Sequence, residues 1–158
     1  MVTSLSVSYS TQVTLGPAAF VLTTNTGAAV PGVTLSWTTT VSNGVTLATV
    51  TFGGTGVTAG SLADGRYVLT TVASQVHETS SLGLAMSADN QAAFFRFFGD
   101  SNGDGRVDNL DFAKLKTTFN AQAGDANYLF FFDYNGDGKI DNLDLGQFKI
   151  RLLQGNLP

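Results

Sequence analysis

Asp100-Ser101-Asn102-Gly103-Asp104-Gly105-Arg106-Val107-Asp108-Asn109-Leu110-Asp111 is written again 33 residues later as Asp133-Tyr134-Asn135-Gly136-Asp137-Gly138-Lys139-Ile140-Asp141-Asn142-Leu143-Asp144. Oxygen-bearing side chains stand at positions 1, 3, 5, 9 and 12 of each copy, and a glycine stands at position 6. A hard cation such as calcium takes six to eight oxygens at about 2.3–2.6 Å, and a twelve-residue loop supplies them from positions 1, 3, 5, 7, 9 and 12 around a sharp turn at 6. The first copy fills these positions with Asp100, Asn102, Asp104, the Arg106 carbonyl, Asp108 directly or through water, and Asp111, with Gly105 at the turn. The second fills them with Asp133, Asn135, Asp137, the Lys139 carbonyl, Asp141 and Asp144, with Gly138 at the turn. Two calcium ions are expected, one per loop, at 100–111 and 133–144.

The duplication extends past the ligands. Adding 33 to Phe112, Leu115 and Phe119 gives Leu145, Phe148 and Leu152, an i, i+3, i+7 stripe in both copies, so each loop is expected to feed an amphipathic helix. Upstream, Phe95, Phe97 and Phe98 map onto Tyr128, Phe130 and Phe131. Two helix-loop-helix units are expected to pack these aromatics together about a pseudo-twofold axis.

The usual EF-hand closes its loop with a bidentate Glu at position 12, whereas Asp111 and Asp144 are one methylene shorter. The pattern D-x-N-x-D-G-x-(V/I)-D-x-x-D, present twice, resembles dockerin type I, the calcium-binding module that docks enzymes onto cohesin domains. The resemblance covers roughly residues 95–155. It implies a partner-binding surface at loop positions 10 and 11 and on the following helix, which here are Asn109, Leu110 and Lys116 and their copies Asn142, Leu143 and Lys149.

Composition divides the chain of 158 residues in two. Through residue 89 the only charges are Asp64, Arg66, Glu78 and Asp89, in a stretch dense in Thr, Val, Ser, Gly and Ala, while nine of the twelve acids and seven of the eight bases follow. The first part has strand chemistry and the second loop-plus-helix chemistry. Domains are therefore placed at 1–88 and 89–158. In the first, Val33, Leu35 and Trp37 alternate with polar residues, and Asn43-Gly44 predicts a type I′ turn returning the chain through Val45–Phe52. Gly53–Ser61 reads as a glycine-rich connection and Asp64-Gly65 as a second turn.

About seven short strands with frequent turns predict a β-sandwich of immunoglobulin type. Val2-Thr3-Ser4-Leu5-Ser6-Val7-Ser8-Tyr9-Ser10 and Leu62-Ala63-Asp64-Gly65-Arg66-Tyr67-Val68-Leu69-Thr70 are similar to strands of bacterial Ig-like domains of secreted and surface proteins. The expected fold class is thus a mainly β, Ig-like sandwich followed by a small α-helical, EF-hand-like calcium domain.

A net charge of −4 with no basic stripe argues against nucleic acid, which demands clustered Lys and Arg. No apolar run approaches the roughly 18 residues that span a bilayer, so no membrane insertion is expected. Zero cysteines leave the redox compartment open. Met1-Val2-Thr3 lacks the charged and apolar regions of a signal peptide and runs straight into strand pattern, reading as the start of a C-terminal piece of a longer exported protein. The single histidine, His77, lies near Glu78 and Ser80, but there is no G-x-S-x-G elbow, no cysteine nucleophile and no zinc-type cluster, so catalysis is not expected. Two functions compete. The first is a calcium-stabilised spacer or attachment module, extracellular or on the cell surface. The second is a dockerin that binds a cohesin-like receptor or another cell-surface protein and assembles an extracellular, polysaccharide-degrading complex. An intracellular calcium sensor would expose a Met-rich groove, and Met1 and Met86 are the only methionines.

Overall fold

The computed structural model describes residues 1–157. The chain forms two compact units, one from Ser4–Gly56 and Arg66–Phe94, the other from Met1–Thr3, Val57–Gly65 and the residues from Phe95 onward. The sequence reading places the change at 88/89; the compact units change over at Phe94 and Phe95, and the second also takes in nine residues from the middle of the strand-rich region.

In the first unit, β1 (Ser4–Ser8), β2 (Val13–Leu15), β3 (Phe20–Thr24), β4 (Thr34–Ser42) and β5 (Val45–Gly53) are separated by a polar break after β1 and by Gly- or Pro-containing breaks after the others. β4 and β5 form the nine-residue hairpin that Asn43-Gly44 specifies: Ser42 pairs with Val45, and Asn43 and Gly44 adopt φ of 52° and 75°. Only such positive φ at both turn residues matches the right-handed twist of the flanking strands. β1 adds to the other edge of β5, giving the order β1-β5-β4. Along β5 the alternation of the sequence becomes alternation of burial, with Thr46, Ala48, Val50 and Phe52 inward. Ala48 and Val50 meet Ala19, Phe20 and Leu69 in a small core, where the Trp37 ring stands edge-on to Phe20 at 5.4 Å.

The chain then makes β6 (Val57–Thr58) and β7 (Ser61–Leu62), a two-residue ribbon whose turn has Ala59 and Gly60 at φ of 50° and 73°, and afterwards β8 (Gly65–Thr71), β9 (Val76–Glu78) and β10 (Asn90–Arg96). β10, β8 and β3 form a second three-stranded sheet, and β2 pairs with β9. Two α-helices follow, α1 (Asn109–Thr118) and α2 (Asn142–Gln154).

The expected fold class is corrected on both counts. The described residues hold four small sheets of three, three, two and two strands, in a mainly β chain, and not the two sheets of an immunoglobulin-type sandwich. Glycines at 53, 54, 56 and 60 break the chain so often that β6 and β7 reach only two residues, and Val57–Gly65 contributes to the other unit. Nor is the C-terminal part an α-helical, EF-hand-like pair of helix-loop-helix units. Phe94 and Phe95 lie in β10, and Phe130–Phe132 make one 3-10 turn, so no α-helix leads directly into either loop. Runs of adjacent phenylalanines present no single helical face and lose side-chain freedom against a helical turn, whereas they suit extended backbone.

Each remaining helix has a defined start and stop. Asp108 and Asp141 are N-caps, each completing a capping box with the aspartate three residues on, Asp111 and Asp144. Reciprocal bonding of this kind satisfies two of the backbone N–H groups that a helix start leaves open. α2 stops at Gly155, whose φ is 77° and whose N–H reaches the Arg151 carbonyl at 2.8 Å. Leu115 on α1 and Phe148 on α2 are buried among Phe97, Phe98, Val107, Phe132, Ile140 and Leu157.

Candidate metal centres

The two loops share one hydrogen-bond network. In the first, Asp100 accepts from the N–H groups of Gly103 at 2.7 Å and Gly105 at 2.8 Å. Asn102 accepts from the Asp104 N–H and Asp104 from the Arg106 N–H, at 3.1 and 2.9 Å. In the second, Asp133 accepts from Gly136 and Gly138, Asn135 from Asp137 and Asp137 from Lys139, at 2.7, 2.8, 3.2 and 2.9 Å. Gly103 and Gly105 sit at φ of 80° and 79°, and Gly136 and Gly138 at 70° and 82°, a backbone region where a Cβ is costly. Local oxygens thus hold the turns, and the spacing that suggested ligands is also the spacing at which side chains bond their own backbone.

Positions 9 and 12 carry helix chemistry. Asp108 and Asp141 accept from Leu110 and Leu143 at the starts of the helices. Asp111 accepts from Ser101 and Asp108, and Asp144 from Tyr134 and Asp141. Both closing carboxylates are 1% exposed and lie at a helix N-terminus, where the dipole favours negative charge. Burial pushes the Asp144 carboxyl above its usual range, against the pull of the N–H groups of Asp141 and Tyr134.

The expected ligands of each loop are therefore bonded to their own backbone. Among the described residues, no group of three or more His, Cys, Asp or Glu side chains converges into a ready-made cluster. The donor set still fits calcium, because every candidate is a hard oxygen. In Asp100 and Asp104, as in Asp137 and at Asp133 Oδ1, each N–H bond uses one lone pair of an oxygen that has two, whereas Asp133 Oδ2 accepts from both the Gly138 N–H and the Tyr128 hydroxyl.

The repeats differ in their supports. Ser101 offers its hydroxyl to Asp111 at 2.9 Å, whereas its counterpart Tyr134 meets Asp144 through its backbone N–H at 2.7 Å. Tyr128 donates its hydroxyl to Asp133 at 2.6 Å, and its pKa is pushed up to about 12 by burial and then by the Asp133 carboxylate. At the position equivalent to Phe132, which is fully buried, the first repeat has Gly99. A Cβ on Gly99 would stand 2.8 Å from Phe148 Cδ2, and its φ is 94°.

Each loop is also latched by the other repeat. Val107 donates to the Gly155 carbonyl and Leu157 to that of Gly105, each at 3.0 Å, while Ile140 donates to Ala121 at 3.0 Å and Ala123 to Gly138 at 2.8 Å. The segment that follows α2 completes loop one, and the segment that follows α1 completes loop two, each through an isolated β-bridge.

Sequence reasoning missed an ion cluster in this unit. Asp64 takes Arg96 Nη1 on one oxygen and Arg151 Nε on the other, the latter at 2.7 Å, and also accepts the Phe98 N–H at 2.7 Å. Both guanidinium groups lie 5.2–5.7 Å from the ring centres of Phe98 and Tyr134. Burial lowers the Arg96 pKa, and Asp64 opposes that shift. An acid in a stretch whose only other charge before Glu78 is Arg66 was the available signal.

The residues expected to meet a partner are at the surface. Leu110 and Leu143 are 70% and 66% exposed, and Asn109, Lys116, Asn142 and Lys149 are exposed with them. Buried packing is thereby excluded as the reason for the paired leucines.

Residues 98–153 match the family model of the dockerin type I domain, which supports a dockerin domain over that stretch. Dockerin domains are non-catalytic interaction modules that bind cohesin partners, and those of type I generally bind calcium. The search of curated proteins and the search of solved structures each returned no match. Among the described residues, no helix is long and apolar enough to cross a membrane.

Proposed function

We propose that the C-terminal unit is a calcium-dependent docking module, non-catalytic and extracellular or on the cell surface, that binds a cohesin-like partner. One calcium ion is held by Asp100, Asn102, Asp104, the Arg106 carbonyl, Asp108 and Asp111, and a second by Asp133, Asn135, Asp137, the Lys139 carbonyl, Asp141 and Asp144. The cation offsets half the charge of the four carboxylates of each loop and thereby fixes the start of the helix that carries the contact residues. Asn109, Leu110, Lys116 and their copies Asn142, Leu143, Lys149 form the contact. The working division into modules stays near residue 89, with Val57–Gly65 assigned to the docking module.

The observation that carries this reading is the exposure of Leu110 and Leu143 in the first turn of two helices whose starts are set by the calcium-type loops. What favours docking over a calcium-stiffened spacer is that the two exposed leucines recur at the same position of both repeats, each beside an exposed asparagine and lysine. Titration calorimetry of the full chain against a panel of purified cohesin domains tests it: binding in calcium that disappears in excess chelator is expected. A chain that takes up two calcium ions and binds no cohesin domain leaves the spacer reading in its place.

A further inference from the structure

The two helices present matched faces of unequal character. On α2 the outward arc is Asn142, Leu143, Gly146, Lys149, Ile150 and Leu153; shifted back by 33 it becomes Asn109, Leu110, Ala113, Lys116, Thr117 and Asn120. These positions recur at about 100° per residue and so lie on one side of a helix. The first four pairs are alike in chemistry. The last two replace a hydroxyl and an amide by Ile150 and Leu153, which are 56% and 90% exposed.

The difference goes beyond composition. α1 has 10 residues and α2 has 13, so at about 1.5 Å per residue the second face is longer by almost a turn. The end of the α1 face is occupied by its own chain: Thr117 donates its hydroxyl to the Lys114 carbonyl at 2.7 Å, the Thr117 carbonyl accepts the Asn127 amide at 2.9 Å, and Asn120 has left helical geometry at φ of 68°. The Lys116 ammonium lies 5.2 Å from the centre of the Phe112 ring, a favourable cation–π placement. Lys149 has the aliphatic Leu145 at the corresponding place.

We infer that docking uses the α2 face in preference to the α1 face, with Leu143, Ile150 and Leu153 meeting an apolar platform on the cohesin-like partner and Lys149 meeting a carboxylate at its rim. The inference rests on the proposed docking function and adds which face is used. Three exposed apolar side chains spread over about 15 Å of helix form the kind of contiguous anchor that dominates binding energy, and the charge at their edge selects the partner's orientation.

The experiment measures affinity of the full chain, in saturating calcium, for the same panel of cohesin domains. Ile150→Thr with Leu153→Asn gives α2 the face of α1, and Leu110→Ser trims the α1 face. All three positions are exposed, and unchanged calcium stoichiometry and melting temperature verify folding. The α2 pair is expected to weaken binding by about thirtyfold or more, as loss of a hot spot does, and Leu110→Ser by less than about threefold. Equal losses, or a greater loss from Leu110→Ser, overturn the preference while the docking function stands. Failure of the unaltered chain to bind any cohesin domain overturns the docking function and the preference with it. A calcium-loaded dimer in sedimentation that the α2 pair dissolves, with cohesin binding untouched, overturns the inference by assigning the face to a second copy of this chain.

Discussion

The strand-rich unit and the loop-and-helix unit are stabilised by opposite means. In the first, β4, β5 and β1 satisfy one another's backbone groups, a small apolar core lies against them, and Glu78 and Asp89 are the only acids. In the second, eight aspartates stand in two twelve-residue loops, each holding its turn by accepting N–H bonds while repelling its neighbours. One unit is complete in its own chemistry. The other crowds like charges into its loops, where a bound cation would offset their repulsion.

The most severe way to test that contrast is removal of calcium. An ion that binds only the folded unit stabilises it by about 4 kcal/mol at a thousandfold excess over Kd, so excess chelator is expected to melt the loop-and-helix unit near room temperature. Trp37 is the only tryptophan and lies in the strand-rich unit beside Phe20, so its fluorescence isolates that unit's response. A Trp37 signal that holds while near-ultraviolet tyrosine and phenylalanine dichroism collapses is the expected result. Joint collapse breaks the contrast.

Next in size is Asp64→Asn. It leaves Arg96 and Arg151 in place, with side chains 2% and 12% exposed, and takes away the carboxylate between them. Losing one partner of a buried ion pair costs about 3–5 kcal/mol, and a loss of about 3 is expected here because Asp64 itself is 17% exposed. Chemical denaturation in calcium, followed by tyrosine dichroism, measures it. A loss below about 1 kcal/mol would show that the cluster is held by its stacking on Phe98 and Tyr134 instead.

The smallest effect is a difference between two glycines of the first repeat. Gly99→Ala meets both a φ of 94° and the Phe148 ring, whereas Gly103→Ala meets a φ of 80° and open space. Backbone strain alone costs about 1–2 kcal/mol, and overpacking adds about 1–3. Thermal melts in calcium are expected to place Gly99→Ala below Gly103→Ala, and the reverse order would mean that α2 shifts to make room.

What could be read in the sequence was what neighbouring residues decide. Asn43-Gly44 requires nothing but its own φ values to turn a hairpin, and the capping boxes at Asp108 and Asp141 close within four residues. The loop pattern is equally local. The pre-loop aromatics misled because the 33-residue offset matches their chemistry and not their environment: Phe97 is 5% exposed and its counterpart Phe130 is 55% exposed. Asp64 reads as half of a turn dipeptide, and its partners stand 32 and 87 residues away, farther than any periodicity reaches. The glycine-rich connection at 53–61 concealed the ribbon of β6 and β7 for the same reason, since its pairing spans only two residues.

The crossed latches order events in time. When Ile140 leaves the ribosome, Ala121 has already been made, so loop two can be completed at once. Val107 must wait for Gly155, and Gly105 for Leu157, an interval of roughly 3–10 s at translation rates of about 5–20 residues per second. The repeat that is written second is the first whose latch residues have all been made, and the earlier loop's latch waits for residues 155 and 157.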